Sequence, residues 1–193
     1  MALDCASITK NVVLDACKRA TAGINGSVIL INYDDINRLS TVETANVVSV
    51  LQLKAGKFAY KYDCKDASPV GEYNLAVGKW IPAWDHILTI KALAKTQDMK
   101  DAIEILSKAK LVAIVDNKEV GGAEMKTRYE MYGYEAGLKL LESANTTDFA
   151  DETVYNLKLG SGDAKENTLP KTIFKTDAAA TELIINGLFP VIP

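Results

Sequence analysis

Val47-Val48-Ser49-Val50-Leu51-Gln52-Leu53, then Lys54-Ala55-Gly56, then Lys57-Phe58-Ala59-Tyr60-Lys61-Tyr62 is the stretch whose reading decides the fold. The first arm is rich in β-branched residues and apolar on both faces. The second alternates, with Phe58, Tyr60 and Tyr62 on one side and Lys57, Ala59 and Lys61 on the other. A period of two is the signature of a strand, and it predicts aromatics inward and lysines in water. Gly56 supplies the backbone freedom of a short turn, so the stretch reads as a hairpin.

Outward from this point the period stays at two for most of the chain. Ser27–Tyr33 is a compact β-branched run that stops at Asp34-Asp35. Tyr73–Val77 and Trp84–Lys91 read as two further strands with a bend at Ile81-Pro82, since proline cannot donate to a ladder. In the second of these, Trp84, His86, Leu88 and Ile90 share one face. Leu111–Val115 and Met125–Tyr132 form a second predicted hairpin, whose near-strict alternation in the second arm implies one face that is solvated or paired with a polar partner surface. Thr153–Leu159 is another strand, ended by Gly160-Ser161-Gly162, and Val12-Val13-Leu14 is a short strand or one helical turn.

Two segments change period. Thr96 is an N-cap candidate, and Met99, Ala102, Ile103 and Leu106 make one stripe, which predicts a helix over 97–108. Asp177 caps a short helix to about residue 186, where Asn186-Gly187 ends it. Strands are not interleaved with helices. The fold class is therefore mainly β (α+β), an antiparallel sandwich or barrel with one flanking helix and a short C-terminal helix. The organisation expected is an N-terminal extension over 1–26, a β domain over 27–175, and a C-terminal helix with an apolar tail over 176–193.

Composition narrows the classes of function. The 193 residues carry 22 Lys+Arg against 25 Asp+Glu, a formal charge of −3. That balance gives no electrostatic drive toward nucleic acid or anionic membrane. Apolar content of 48% excludes wholesale disorder. An acid near the N-terminus and the lack of an apolar stretch of ~20 residues lead to the expectation of a soluble, cytoplasm-made chain with no membrane anchor. Cys5, Cys17 and Cys64 are odd in number and widely spaced, which argues against a disulfide framework.

Catalytic chemistry finds no foothold. Nucleophilic catalysis needs a base beside the nucleophile, and the one histidine, His86, sits on a strand face that is otherwise apolar. Its plainer reading is a partly buried side chain with one hydrogen bond. The acids at Asp34-Asp35, Asp148 and Asp151-Glu152 fall in turns, and no spacing selects two of them. Gly160-Ser161-Gly162-Asp163-Ala164-Lys165 lacks the Gly-Lys-Ser/Thr ending of a phosphate loop. The chain is expected not to be an enzyme, with no catalytic, cofactor or metal site.

The apolar surplus points elsewhere. The Val47–Leu53 arm and the Leu188–Pro193 tail expose more apolar surface than one core consumes, which suggests sheet extension between subunits. The oligomer-interface candidates are Val47, Val48, Val50, Leu51, Leu53, Lys57, Lys61, Leu188 and Phe189.

The order of elements from the glycine-broken N-terminal segment, through Ser27–Tyr33 with Asp34-Asp35-Ile36, the aromatic arm Lys57–Tyr62, Trp84–Ile90, the helix and Leu111–Val115 resembles that of bacteriophage tail tube proteins. Tyr129-Glu130-Met131-Tyr132-Gly133-Tyr134-Glu135-Ala136-Gly137-Leu138 adds to the likeness, since a Tyr-Glu-x-x-Gly strand running into a Gly-Leu step occurs in phage tail proteins. The resemblance implies a structural virion protein that self-assembles into rings, typically hexameric. Such rings stack into a tube with other tail proteins as partners and DNA only as passing cargo, assembled in the host cytoplasm. It also implies kinship with inner tubes of contractile injection systems, a lumen of acidic tendency, and an element at Val47–Tyr62 that reaches the neighbouring ring. The alternatives are another head–tail component, such as a terminator or connector, and a monomeric β-sandwich binding module.

Overall fold

The computed structural model describes residues 23–64, 69–77, 82–92, 96–117, 126–146 and 154–190. Among them are eleven strands and two α-helices. They are β1 (Ile24–Asn32), β2 (Val42–Thr44), β3 (Val47–Val50), β4 (Tyr60–Asp63), β5 (Val70–Val77), β6 (Pro82–Ala92), α1 (Gln97–Lys108), β7 (Leu111–Asn117), β8 (Tyr129–Tyr132), β9 (Lys139–Thr146), β10 (Val154–Gly160), β11 (Lys171–Ile173) and α2 (Ala178–Asn186). A seven-stranded sheet has the order β2-β3-β11-β8-β7-β1-β4, and a four-stranded sheet the order β5-β6-β10-β9. The fold is mainly β and neither sheet closes into a barrel.

The seven-stranded sheet lies in the middle and has a core on each face. In β1, Val28 and Leu30 point into the first core, while Ile29 and Ile31 point into the second. In β7, Leu111, Ala113 and Val115 alternate with Val112 and Ile114 in the same way. Strands buried on both faces lose the hydrophobic alternation of a half-exposed strand, which is why these two read as continuous apolar runs. The four-stranded sheet closes the first core with Leu88, Ile90, Leu157 and Leu159, and α1 adds Leu106. The second core is closed by Ile185 of α2, by Leu188, and by Ile36, Leu51 and Ala59 from the connecting segments.

Both helices form where their signals lie. Thr96 accepts the Met99 N–H on its hydroxyl at the start of α1, and Met99, Ile103 and Leu106 face the first core. Asp177 accepts the Ala180 N–H at 2.8 Å at the start of α2. The β5–β6 pair is antiparallel as expected, with His86 opposite Tyr73. The β7–β8 hairpin also forms, with Ile114 opposite Met131. In its second arm Lys126 is exposed and Arg128 pairs with Asp116 and Glu182, while Tyr129 and Met131 enter the second core and Tyr132, expected on the polar face, enters the first.

The Val47–Tyr62 hairpin is corrected. The chain does turn at Gly56, at φ +72°, with Lys57 N–H donating to the Lys54 carbonyl at 3.0 Å. Its arms, however, never pair. β3 lies between β2 and β11, and its pairing with β11 is parallel, a departure from an all-antiparallel sheet. β4 pairs with β1 at the far edge, with Tyr60 opposite Leu30. Val48 is fully buried, and full burial demands a partner on each side of the strand, which a two-stranded ribbon cannot supply. The aromatic row is corrected with it. Tyr62 packs partly against the first core, but Phe58 and Tyr60 are exposed and Ala59 is the buried residue. An edge strand has only one neighbour to cover its side chains.

The short strand or helical turn expected at Val12–Leu14, Ile81 of the expected bend and the start of the Met125–Tyr132 arm lie outside the described residues.

Candidate functional site

The turn between β8 and β9, residues 133–138, gathers most of the buried polar chemistry. Gly133 adopts φ +74° and Gly137 φ +80°, and Leu138 folds back beneath Gly133 to bridge Leu111. A turn this tight cannot satisfy its own backbone donors, and buried donors demand partners. Two side chains from elsewhere accept them. His86 on β6, buried in the first core's wall, takes the Gly133 N–H on Nδ1 at 3.2 Å. Glu166, also fully buried, takes the Glu135 N–H on Oε2 at 2.8 Å and the Ala136 and Gly137 N–H groups on Oε1 at 2.8 and 3.3 Å. Glu166 is itself held by a backbone bridge to Trp84 on β6.

His86 is therefore bonded at both nitrogens, not one. Nε2 lies 3.0 Å from the Thr168 carbonyl. With a donor facing Nδ1 and an acceptor facing Nε2, the ring is neutral with its proton on Nε2. Burial lowers its pKa below the ordinary histidine value, opposed by Glu166, the Thr168 carbonyl, Asp85 and Glu135. Ser161 lies close by, donating to Asp85 at 2.8 Å, but it meets the backbone N–H of His86 and not the ring. Ser, His and Asp come together without forming a relay, because both ring nitrogens are occupied. Of the acids noted in the sequence, Asp35 is tied to Asn32 and Lys57. Asp148, Asp151 and Glu152 lie outside the described residues. Burial pushes the Cys64 thiol up to about 11, away from reactivity. Among the described residues no cluster of acids, His and Cys has the makings of a metal site.

The outer side of the turn carries interleaved cations and rings. The Arg38 guanidinium sits between Tyr33 and Tyr134, 4.7 and 4.4 Å from their centroids, and donates to the Tyr134 carbonyl at 2.6 Å. Lys110 caps Tyr33 at 3.7 Å, and Tyr33 donates its hydroxyl proton to the Glu135 carbonyl. The buried Lys171 amine lies 3.2 Å from Glu43 and 3.6 Å from Glu135. No local pattern marks this stack, since its members come from five separate segments.

Of the nine interface candidates, Val48, Leu51 and Leu188 are consumed by the chain's own second core, and Phe189 packs partly against it. Leu188 is fixed there by its carbonyl, which accepts the Ala59 N–H at 2.8 Å. Val50 and Leu53 are half-buried, and Val47 is 39% exposed. Lys57 and Lys61 are exposed and paired with Asp35 and Asp63.

The free apolar surface lies elsewhere. Both edge strands of the four-stranded sheet are solvated on both faces: Glu72, Tyr73, Asn74 and Leu75 of β5, and Leu141 through Ala144 of β9. By register, Glu72 and Lys139 lie on the sheet's outer face at opposite edges. Neither is ion-paired with another described residue. That face mixes signs, with Glu72, Asp85 and Glu142 against Lys91, Lys139 and Lys158, so its acids and lysines balance. Between α1 and β4 runs a second feature, a groove of about 290 Å³ lined by Leu30, Tyr60, Tyr62, Ile105, Leu106 and Ala109 among others. No family model, curated protein or solved structure matches the chain.

Proposed function

We propose that the chain is a structural, self-assembling subunit whose copies join into rings, and that the rings stack into a tube of the phage-tail type. The observation that carries this reading is the pair of open edges on the four-stranded sheet. Natural sheets normally blunt their edges with charge, proline or short strands. Here β5 presents Val70, Tyr73 and Leu75, and β9 presents Leu141, all exposed.

The strand order supports joining head to tail. Each neighbour in β5-β6-β10-β9 is antiparallel, so the two edge strands run in opposite directions. The β5 edge of one copy then meets the β9 edge of the next as an antiparallel pair, and the step repeats until the ring closes. Glu72 on one edge and Lys139 on the other share a face, where opposite charges across a strand pair contribute about 0.2–1 kcal/mol.

Light scattering and negative-stain microscopy at rising protein concentration test the reading. Rings or tubes are expected. Glu72→Lys should weaken assembly, and adding Lys139→Glu to the same chain should restore it. A species that stays monomeric at every concentration, even with tail proteins added, rejects it.

A further inference from the structure

We infer that a second contact between copies exists, in which the Asn37–Thr41 turn of one copy seats Leu39 in the α1/β4 groove of another. The inference rests on the self-assembly reading above, and it concerns a surface separate from the β5 and β9 edges. Leu39 is 100% exposed at the tip of the turn that leads into β2. A fully solvated leucine is unremarkable on a loose loop, but this turn is built. The Asn37 carbonyl accepts the Ser40 and Thr41 N–H groups at 3.2 and 3.0 Å and the Thr41 hydroxyl at 2.9 Å. Asn37 N–H is anchored on the Gln52 carbonyl at 2.9 Å. Arg38, the residue before the leucine, is clamped between Tyr33 and Tyr134. Two aromatic rings and a guanidinium thus fix the base from which an apolar side chain projects into water.

The groove has the complementary character. Its walls are apolar, and two of them are largely uncovered, with Ile105 68% and Tyr60 58% exposed. Because Leu39 is fully exposed, it does not enter the groove of its own chain. Charge selects the occupant. The turn has one charged residue, Arg38, and no described carboxylate pairs with it. On α1, Asp98 and Asp101 stand at i−7 and i−4 from Ile105, along the rim of the groove, and no described cation pairs with either. Lys108, three residues beyond Ile105, is paired with Glu104, and Lys61, opposite Ile29, lies on the other face of β4. A cationic turn with an apolar tip therefore meets an apolar slot with an acidic lip. Unless the two surfaces meet reciprocally across a two-fold axis, such a contact is head-to-tail and repeats from copy to copy.

A photoreactive benzophenone side chain introduced in place of Leu39 tests this, using an equal mixture of ordinary and heavy-isotope-labelled full-length chain. The expected result is mixed-isotope crosslinks from position 39 to residues 101–109 or 60–62. In parallel, Leu39→Glu and Ile105→Glu, both at exposed positions that leave the fold intact, should each raise the concentration needed for assembly about tenfold. Crosslinks that map elsewhere, or variants that assemble as the parent does, overturn the inference and leave the β5–β9 reading standing. A parent chain that never assembles overturns both.

Discussion

His86 Nδ1 accepts the Gly133 N–H at 3.2 Å, and through this contact the four-stranded sheet grips the turn that ends the β7–β8 hairpin. The ring opposes Tyr132 edge to face, with centroids 5.6 Å apart, so packing and hydrogen bonding fix one orientation. A histidine on an apolar strand face is here a pin between layers. Its removal leaves the buried Gly133 donor and the part-buried Thr168 acceptor without this partner. His86→Ala is expected to cost about 3–4 kcal/mol from the cavity and the lost bonds. A denaturant midpoint within error of the parent's would show the pin to be dispensable.

The same contact makes stability depend on acidity. The folded-state pKa of His86 lies below its unfolded value of 6.5, because burial penalises the imidazolium. Between those two values the unfolded chain binds more protons, so stability falls as pH drops below about 6.5. Protonated Nδ1 would also place a donor against the Gly133 N–H. Urea midpoints measured from about pH 7 to about pH 5 should decline, and less steeply in His86→Leu. Equal slopes in the two proteins would assign the decline to other groups.

Glu166 offers a sharper test of the turn. Its two oxygens accept three backbone N–H groups, and a carboxylate has no proton to conflict with any of them. Glu166→Gln keeps the shape but turns one acceptor into a donor that faces those groups. The expected loss is about 2–4 kcal/mol, or roughly 5–15 °C in Tm. An unchanged melting curve would mean that the amide finds other partners.

Two glycines separate strain from crowding. Gly56 has φ +72° and open space where a Cβ would stand. Gly56→Ala should therefore cost only the left-handed penalty, about 1–2 kcal/mol. Gly137 has φ +80°, and a Cβ there would lie 2.4 Å from Lys110 Cε and 2.9 Å from the Tyr33 ring. Gly137→Ala should cost more, by about 1–3 kcal/mol of overpacking. Equal losses from chemical denaturation would mean that Lys110 and Tyr33 yield freely.

Local signals were legible, and distant pairings were not. The caps at Thr96 and Asp177, the apolar stripe of α1 and the turn at Gly56 depend on residues within a few positions of each other, so sequence periodicity reveals them. The pairing of β3 with β11 and of β4 with β1 depends on which apolar face finds which partner across the whole chain. β9 passes unnoticed because its exposed residues Leu141 to Ala144 show no alternation between core and solvent. β2 and β11 are three residues each, too short to carry a period. The polar pin has a related cause. His86 and Glu166 lie 47 and about 30 residues from the turn that they hold, and no spacing rule links them. Among the interface candidates, apolar character alone does not separate Val48, buried in this chain, from Val47, which is not.

Tyr60 decides between a core and a surface role for the aromatic arm. Had Phe58, Tyr60 and Tyr62 faced a core, Tyr60→Asp would unfold the domain. Tyr60 is 58% exposed on the edge strand β4, where it lines the groove opposite Ile105. A carboxylate at such a position keeps its water, so the fold should survive with a Tm shift of a few degrees at most. What should change is association, because the new charge joins Asp98 and Asp101 around an apolar slot and makes burial of that slot costly. Circular dichroism melting and light scattering on one sample distinguish the two effects. An intact fold with weakened assembly is the expected result, whereas a lost fold would return Tyr60 to the core.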